Sequence, residues 1–245
     1  MTREIICLLQ GGFPDGALSR WRTLHEHATI ATFILHHDGE IAHRYLASRF
    51  FASHRAGTQL AQYAERANLD PFSDQQMQDI ARYCEAFVAR FGDEMWNEYG
   101  WAAPALNNRK PNFSIIEKSV GLDHWLPRFR WASEHTHGPY RPTHALLGMA
   151  EATKQVLLVG QSNSGMIDPI SMTATTLTLA TSALLTSKPT LDRLATVQAL
   201  VQLSDEAGST AVQLERETFQ LHRRRERQKK AKSTRKGRTR SSSHR

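Results

Sequence analysis

Cysteine is almost absent from this chain of 245 residues: Cys7 and Cys84 are its only two. That excludes a disulfide framework and leaves no second pair for a zinc site, so a reducing, cytosolic setting is expected and no cofactor or metal is called for. No apolar run approaches the eighteen or more residues of a transmembrane helix, and the first residues lack the basic start, apolar centre and small-residue cleavage site of a signal peptide. A soluble protein without membrane contact is the expectation. Two phosphate or nucleophile motifs are also missing. Gly160-Gln-Ser-Asn-Ser-Gly165 has neither the Gly-Lys-Ser/Thr ending of a phosphate loop nor the Gly-x-Ser-x-Gly spacing of a nucleophile elbow, and reads as a plain polar loop. No His-x-x-x-His pair shares a helical face with a nearby carboxylate, which argues against a metal site among the twelve histidines.

Acidic residues are scarce at one end. Residues 223–245 hold twelve of the 31 Lys and Arg and a single acid, Glu226, for a charge of +11. Residues 1–222 carry nineteen bases against twenty-three acids, a net −4, so the formal +7 describes the terminal run and not the body of the protein. The run has no aromatic residue to stack on bases; its composition predicts a disordered tail that contacts RNA or DNA phosphates without sequence preference.

The body reads as helix. Glu4–Leu9 is apolar from the outset, which suggests a chain whose true start lies upstream or a domain that has lost its first helix. Gly11–Gly16 breaks that element, and Ala17–His37 then shows apolar positions at helical spacing. Asp38-Gly39 stops it, a second long helix runs over 40–67, and the two suggest an antiparallel hairpin. Ser73 with Gln76 predicts a reciprocally capped helix to Gly92. Residues 100–111 read as a loop, 113–120 and 123–137 as helices, 138–148 as irregular, 153–159 as a short helix or strand, 169–185 as a helix rich in small residues, and 191 to about 225 as a last long helix. The fold class is all-α: a single helical-bundle domain over 1–222 followed by the tail over 223–245.

Two segments carry polar groups that helices seldom bury without a reason. Arg20-Trp-Arg-Thr-Leu-His-Glu-His27 lies in an otherwise apolar helix, and Ser133-Glu-His-Thr-His-Gly138 ends another. Arg22 and Glu26 are an i,i+4 pair, and so are Ser133 and His137. A guanidinium and a carboxylate buried side by side cost several kcal/mol unless other groups satisfy them, roughly the scale at which a functional reason is worth seeking. Arg22, Glu26, His27, Ser133 and His137 are the candidate catalytic residues. Together they would supply acid-base chemistry near neutral pH.

These residues carry a resemblance. The stretch Leu8-Leu-Gln-Gly-Gly12, the Ala17–Glu26 segment, His43-Arg-Tyr45 and Phe129–Gly138 resemble an uncharacterised bacterial all-helical family with an early Arg-x-Leu-x-Glu and a later Ser-x-x-x-His-Gly, over residues 5–186. The resemblance implies a helical domain with Arg22, Glu26, Tyr45, Ser133 and His137 at marked positions and no activity to carry over; the basic tail is not part of that pattern. A looser resemblance is to the HEPN helical ribonucleases, in which four to six residues separate an arginine from a following histidine, as four separate Arg22, and six separate Arg20, from His27. Arg22 and His27 lie roughly 140° apart on an ideal helix, whereas Arg20 and His27 share a face. This resemblance implies a metal-independent ribonuclease in which histidine moves a proton and arginine stabilises the phosphorane.

Three functions are thus open: such a ribonuclease, a non-catalytic binding module whose tail contacts nucleic acid, and a purely structural polar network that fixes helix register. Exposed apolar surface at a shortened N-terminus would favour a homodimer.

Overall fold

The computed structural model describes residues 1–137, 146–149 and 160–241; the expectations for 138–145 and for 153–159 lie outside the described residues. The described residues are helical, with no strand among them. In chain order the helices are α1 (Thr2–Gln10), α2 (Pro14–Leu35), α3 (Gly39–Ala67), α4 (Asp74–Phe91), α5 (Ala103–Leu106), α6 (Phe113–Ser119), α7 (Leu126–Glu134), α8 (Ile167–Thr186) and α9 (Leu191–Ser241). None of them is long and apolar enough to cross a membrane. The chain divides into two compact units, one of Met1–His25 with Phe129–Arg245, the other of Glu26–Arg128.

Local chemistry sets most boundaries. Pro14 and Asp15 start α2 three residues before the expected Ala17, since proline's fixed φ suits the first helical position and an acid suits the first turn. Asp38 accepts from the Glu40 and Ile41 amides and caps α3. Ser73 and Gln76 form the reciprocal box that the sequence predicts for α4. The 100–111 segment, expected as a loop, is wound into a 3-10 turn at Gly100–Ala102 and the short α5.

In the inserted unit, α3 pairs with α4 in antiparallel fashion. Phe50 meets Tyr83 and Phe87, while further along α3 an added Cβ on Gly57 would fall 2.5 Å from the Met77 sulfur. The core gathers Phe33, Ile41, Phe51, Phe91, Met95, Trp101 and Ile116. Within it Arg44 is 2% exposed. Its guanidinium donates to the carbonyls of Phe91 (2.8 Å), Trp101 (3.1 Å) and Gly100 (3.3 Å) and to Glu94 Oε1 (3.0 Å). Gly100 is pressed so close to the chain that a Cβ there would lie 1.7 Å from the Glu94 carbonyl oxygen. Burial pushes the Glu94 carboxyl up, but its own backbone amide and Arg44 outweigh that and hold its pKa below the usual carboxylate value.

In the other unit α8 and α9 form a long antiparallel pair. The Gly165 amide donates to Glu215, Thr178 Oγ1 reaches the Leu200 carbonyl, and Gly208 sits against Ser171. Trp21 of α2 is fully buried and its indole N–H is shared between the Met172 carbonyl (3.0 Å) and Thr176 Oγ1 (2.9 Å) of α8. The helical backbone of α9 continues past the expected fraying point near Arg225 to Ser241. The residue types permit it, because Arg, Lys, Gln and Ala are strong helix formers and no proline interrupts the run.

Candidate functional site

Asp15 and Arg22 are seven residues apart, and about two turns of helix bring them to one face of α2. Both meet the end of α7. Arg22 Nε donates to Ser133 Oγ at 2.8 Å, Ser133 Oγ donates to the Phe129 carbonyl at 2.8 Å, and the Arg22 guanidinium lies 4.5 Å from the centre of the Phe129 ring. The arginine is half-buried, with its charge against an aromatic ring. His25, almost fully buried, stacks on Trp21 at 5.1 Å and tilts against Phe129 at 5.8 Å, so the same phenylalanine supports both side chains.

Two turns earlier on α2, Asp15 Oδ1 lies 2.9 Å from His135 Nδ1, and the imidazole is 1% exposed. The same carboxylate accepts from the Leu147 amide on Oδ1 and the Gly148 amide on Oδ2, at 3.1 and 3.2 Å. Burial pushes the Asp15 carboxyl up, but the hydrogen bond from His135, the two amides and the charge of His135 outweigh it and hold the pKa below the usual aspartate value. The pairing fixes the imidazole with its Nδ1 toward the carboxylate. Beside Asp15 lies a cavity of about 240 Å³ whose wall includes Gly12, Gly148 and Ser162. Ser162 donates from Oγ to the Gly148 carbonyl (2.7 Å) and from its amide to the Gly12 carbonyl (2.9 Å), so the 160–165 loop is fastened by its own hydroxyls and amides.

The candidate residues are thus placed as follows. Arg22 and Ser133 are brought into direct contact. His137 is exposed, and its amide bonds the Ser133 carbonyl at 3.1 Å, in a last turn beyond the end of α7 at Glu134. Glu26 and His27 belong to the inserted unit, where Glu26 Oε1 accepts from the Tyr99 hydroxyl at 3.0 Å and His27 is exposed. Tyr45 sets its ring edge-on to Trp101 at 5.0 Å. Arg20 is taken by Glu4 in an ion pair on the α1–α2 side. Among the described residues no three His, Cys, Asp or Glu side chains gather as a metal ion would require.

Asp15 and His135 were not among the residues the sequence singles out. Asp15 follows a proline at a helix start and reads as an ordinary first-turn acid, and its partner lies 120 positions away, beyond any local pattern. His135 sits inside the second motif, but helical i,i+4 spacing selects Ser133 and His137, and the helix ends before that spacing applies.

An all-helical fold with a polar join between the start of α2 and the end of α7 is the class of protein these features define. Residues 1–154 match the model of a family of unknown function (DUF5677), and the chain belongs to that family. The matched region contains all five candidate residues and ends before α8, so the basic run of α9 lies outside it. No curated protein and no solved structure matches the chain.

Proposed function

We propose that the protein binds nucleic acid through the basic end of α9. The observation that carries this reading is the concentration of twelve Lys and Arg against one acid in residues 223–245, attached to a body of net negative charge. A contact of this kind is made to phosphates, releases counterions, and weakens steeply with salt. Substituting Arg223, Arg224, Arg225 and Arg227 with Gln in the full chain tests it on a DNA duplex across a salt series. If each arginine meets one phosphate, the slope of log affinity against log salt becomes shallower by about 3–4. Affinity and slope equal to those of the unaltered chain would overturn the reading.

A second reading is a metal-independent ribonuclease, favoured by the hydrogen bond that joins Arg22 to Ser133 next to the turn bearing His137. Arg22 would hold the scissile phosphate, with Ser133 positioning the guanidinium. His137 would take the proton of the ribose 2′-hydroxyl as its oxygen bonds to phosphorus and the P–O5′ bond breaks, and the departing 5′-oxygen would take a proton from water. RNA cleavage in excess chelator, by the full chain and its His137→Ala and His27→Ala variants, tests this. Loss of about 10²-fold or more in His137→Ala, with unchanged circular dichroism, identifies the acid-base group. The same loss in His27→Ala alone would move that role to the first motif. Full cleavage by both variants, or none by the parent, would remove these residues from catalysis.

A further inference from the structure

The inserted unit carries a second surface of distinct chemistry. Between α3 and α4 runs an open groove of about 410 Å³ walled by Phe50, Phe87 and Phe91, with Arg49, Arg90 and His43 along its edges. It is built by helical spacing. His43, Ala47 and Phe50 recur on one face of α3, and Phe87, Arg90 and Phe91 on the facing side of α4. Phe87 and Phe91 lie nearly parallel, 7° apart with centres at 6.0 Å, and Phe50 tilts against Phe87 at 5.4 Å.

The cations are arranged with equal regularity. The Arg49 guanidinium lies 4.9 Å from the centre of the Phe50 ring and the Arg90 guanidinium 4.8 Å from that of Phe91. Both side chains are exposed; among the described residues neither has an ion-pair partner, and no carboxylate lines the groove. Two arginines held on aromatic rings without an acid to neutralise them, above an apolar floor, complement a ligand that is flat and apolar on one side and anionic on the other. A nucleobase with its phosphate has that form.

We propose that this groove takes a base and the adjoining phosphates from single-stranded nucleic acid, with the base against Phe50 and Phe87 and the phosphates on Arg49 and Arg90. The proposal rests on the nucleic-acid reading above and adds a preference for single strands, because a paired base cannot enter an aromatic slot. The basic end of α9 has no aromatic residue and cannot supply that preference.

The test compares a labelled single-stranded oligouridylate with the same strand in a duplex with oligoadenylate, using the full chain and two variants. One is Arg49→Gln with Arg90→Gln, both exposed positions; the other neutralises Arg223, Arg224, Arg225 and Arg227. The groove variant is expected to bind the single strand about tenfold more weakly, with a salt slope shallower by about 1.4, which is two single-strand phosphate contacts. Its duplex affinity stays as in the parent. The tail variant is expected to lose duplex binding and to keep the single-strand preference. A groove variant that matches the parent on both probes, or weakens equally on both, overturns the groove assignment and leaves the tail reading intact. A tail variant that matches the parent while the groove variant fails on the single strand does the reverse. Competition by an acidic, phenylalanine-containing peptide for the Arg49 and Arg90 surface, with no oligouridylate bound there, would assign the groove to a protein and overturn the proposal.

Discussion

Replacing Arg44 with alanine is expected to cost about 3–5 kcal/mol, the usual consequence of removing one partner of a buried ion pair. The guanidinium satisfies three main-chain carbonyls from two segments, the end of α4 and the Gly100–Trp101 turn, and neutralises Glu94 as well. Alanine would leave all four acceptors to be satisfied by water that must enter a packed core, and would open a cavity beside Phe91, over whose ring Arg44 lies at 5.3 Å. Total stabilities of about 5–15 kcal/mol make that a large fraction. Urea denaturation should show a fall in midpoint; Arg44→Lys should recover only part of it, since an ammonium cannot reproduce the planar fork. A change below about 1 kcal/mol for the alanine variant would contradict a structural role of this size.

Asp15→Ala should be the next most damaging, at about 2–4 kcal/mol, because it strips three hydrogen bonds from a carboxylate and leaves a buried imidazole without this acceptor. The same contact makes stability depend on acid. The folded pKa of Asp15 lies below its unfolded value. Its contribution is therefore fully present above the unfolded aspartate pKa, near 4, and is lost as pH falls through the lower folded value. Asp15→Asn removes the titration and keeps the shape. The difference in unfolding free energy between the unaltered chain and the Asp15→Asn variant should therefore shrink as the pH is lowered below about 4. A difference that stays constant from neutral pH into that range would show that the carboxylate's charge is not what the contact uses.

The elements with local causes were legible in the sequence. The Ser73–Gln76 box, the Asp38 stop and the apolar spacing that buries Leu18, Trp21 and Phe33 all act within a few residues. The polar interior was not. Arg44 stands among apolar residues of α3 and carries no mark of burial, because its acceptors are carbonyls about fifty positions away and every residue has a carbonyl. Leu46 and Tyr63, large apolar side chains of the same helix, are exposed. The site was half legible: the two motifs are visible as unusual polar groups, and Arg22 and Ser133 do meet. Which histidine turns inward depends on the helix ending at Glu134, one turn sooner than the sequence suggests, and that gave the buried position to His135 and left His137 outside.

The discontinuity of the first unit bears on how the chain is made. The Glu26–Arg128 unit is contiguous and has all its residues once position 128 has left the ribosome. Trp21 must wait, because its acceptors, Met172 and Thr176, are 151 and 155 residues downstream. At about 5–20 residues per second the indole spends roughly 8–30 s without them. During that interval α1 and the start of α2 lack the partner that covers Trp21, and their apolar residues, including Ile5 and Leu18, are open to premature association.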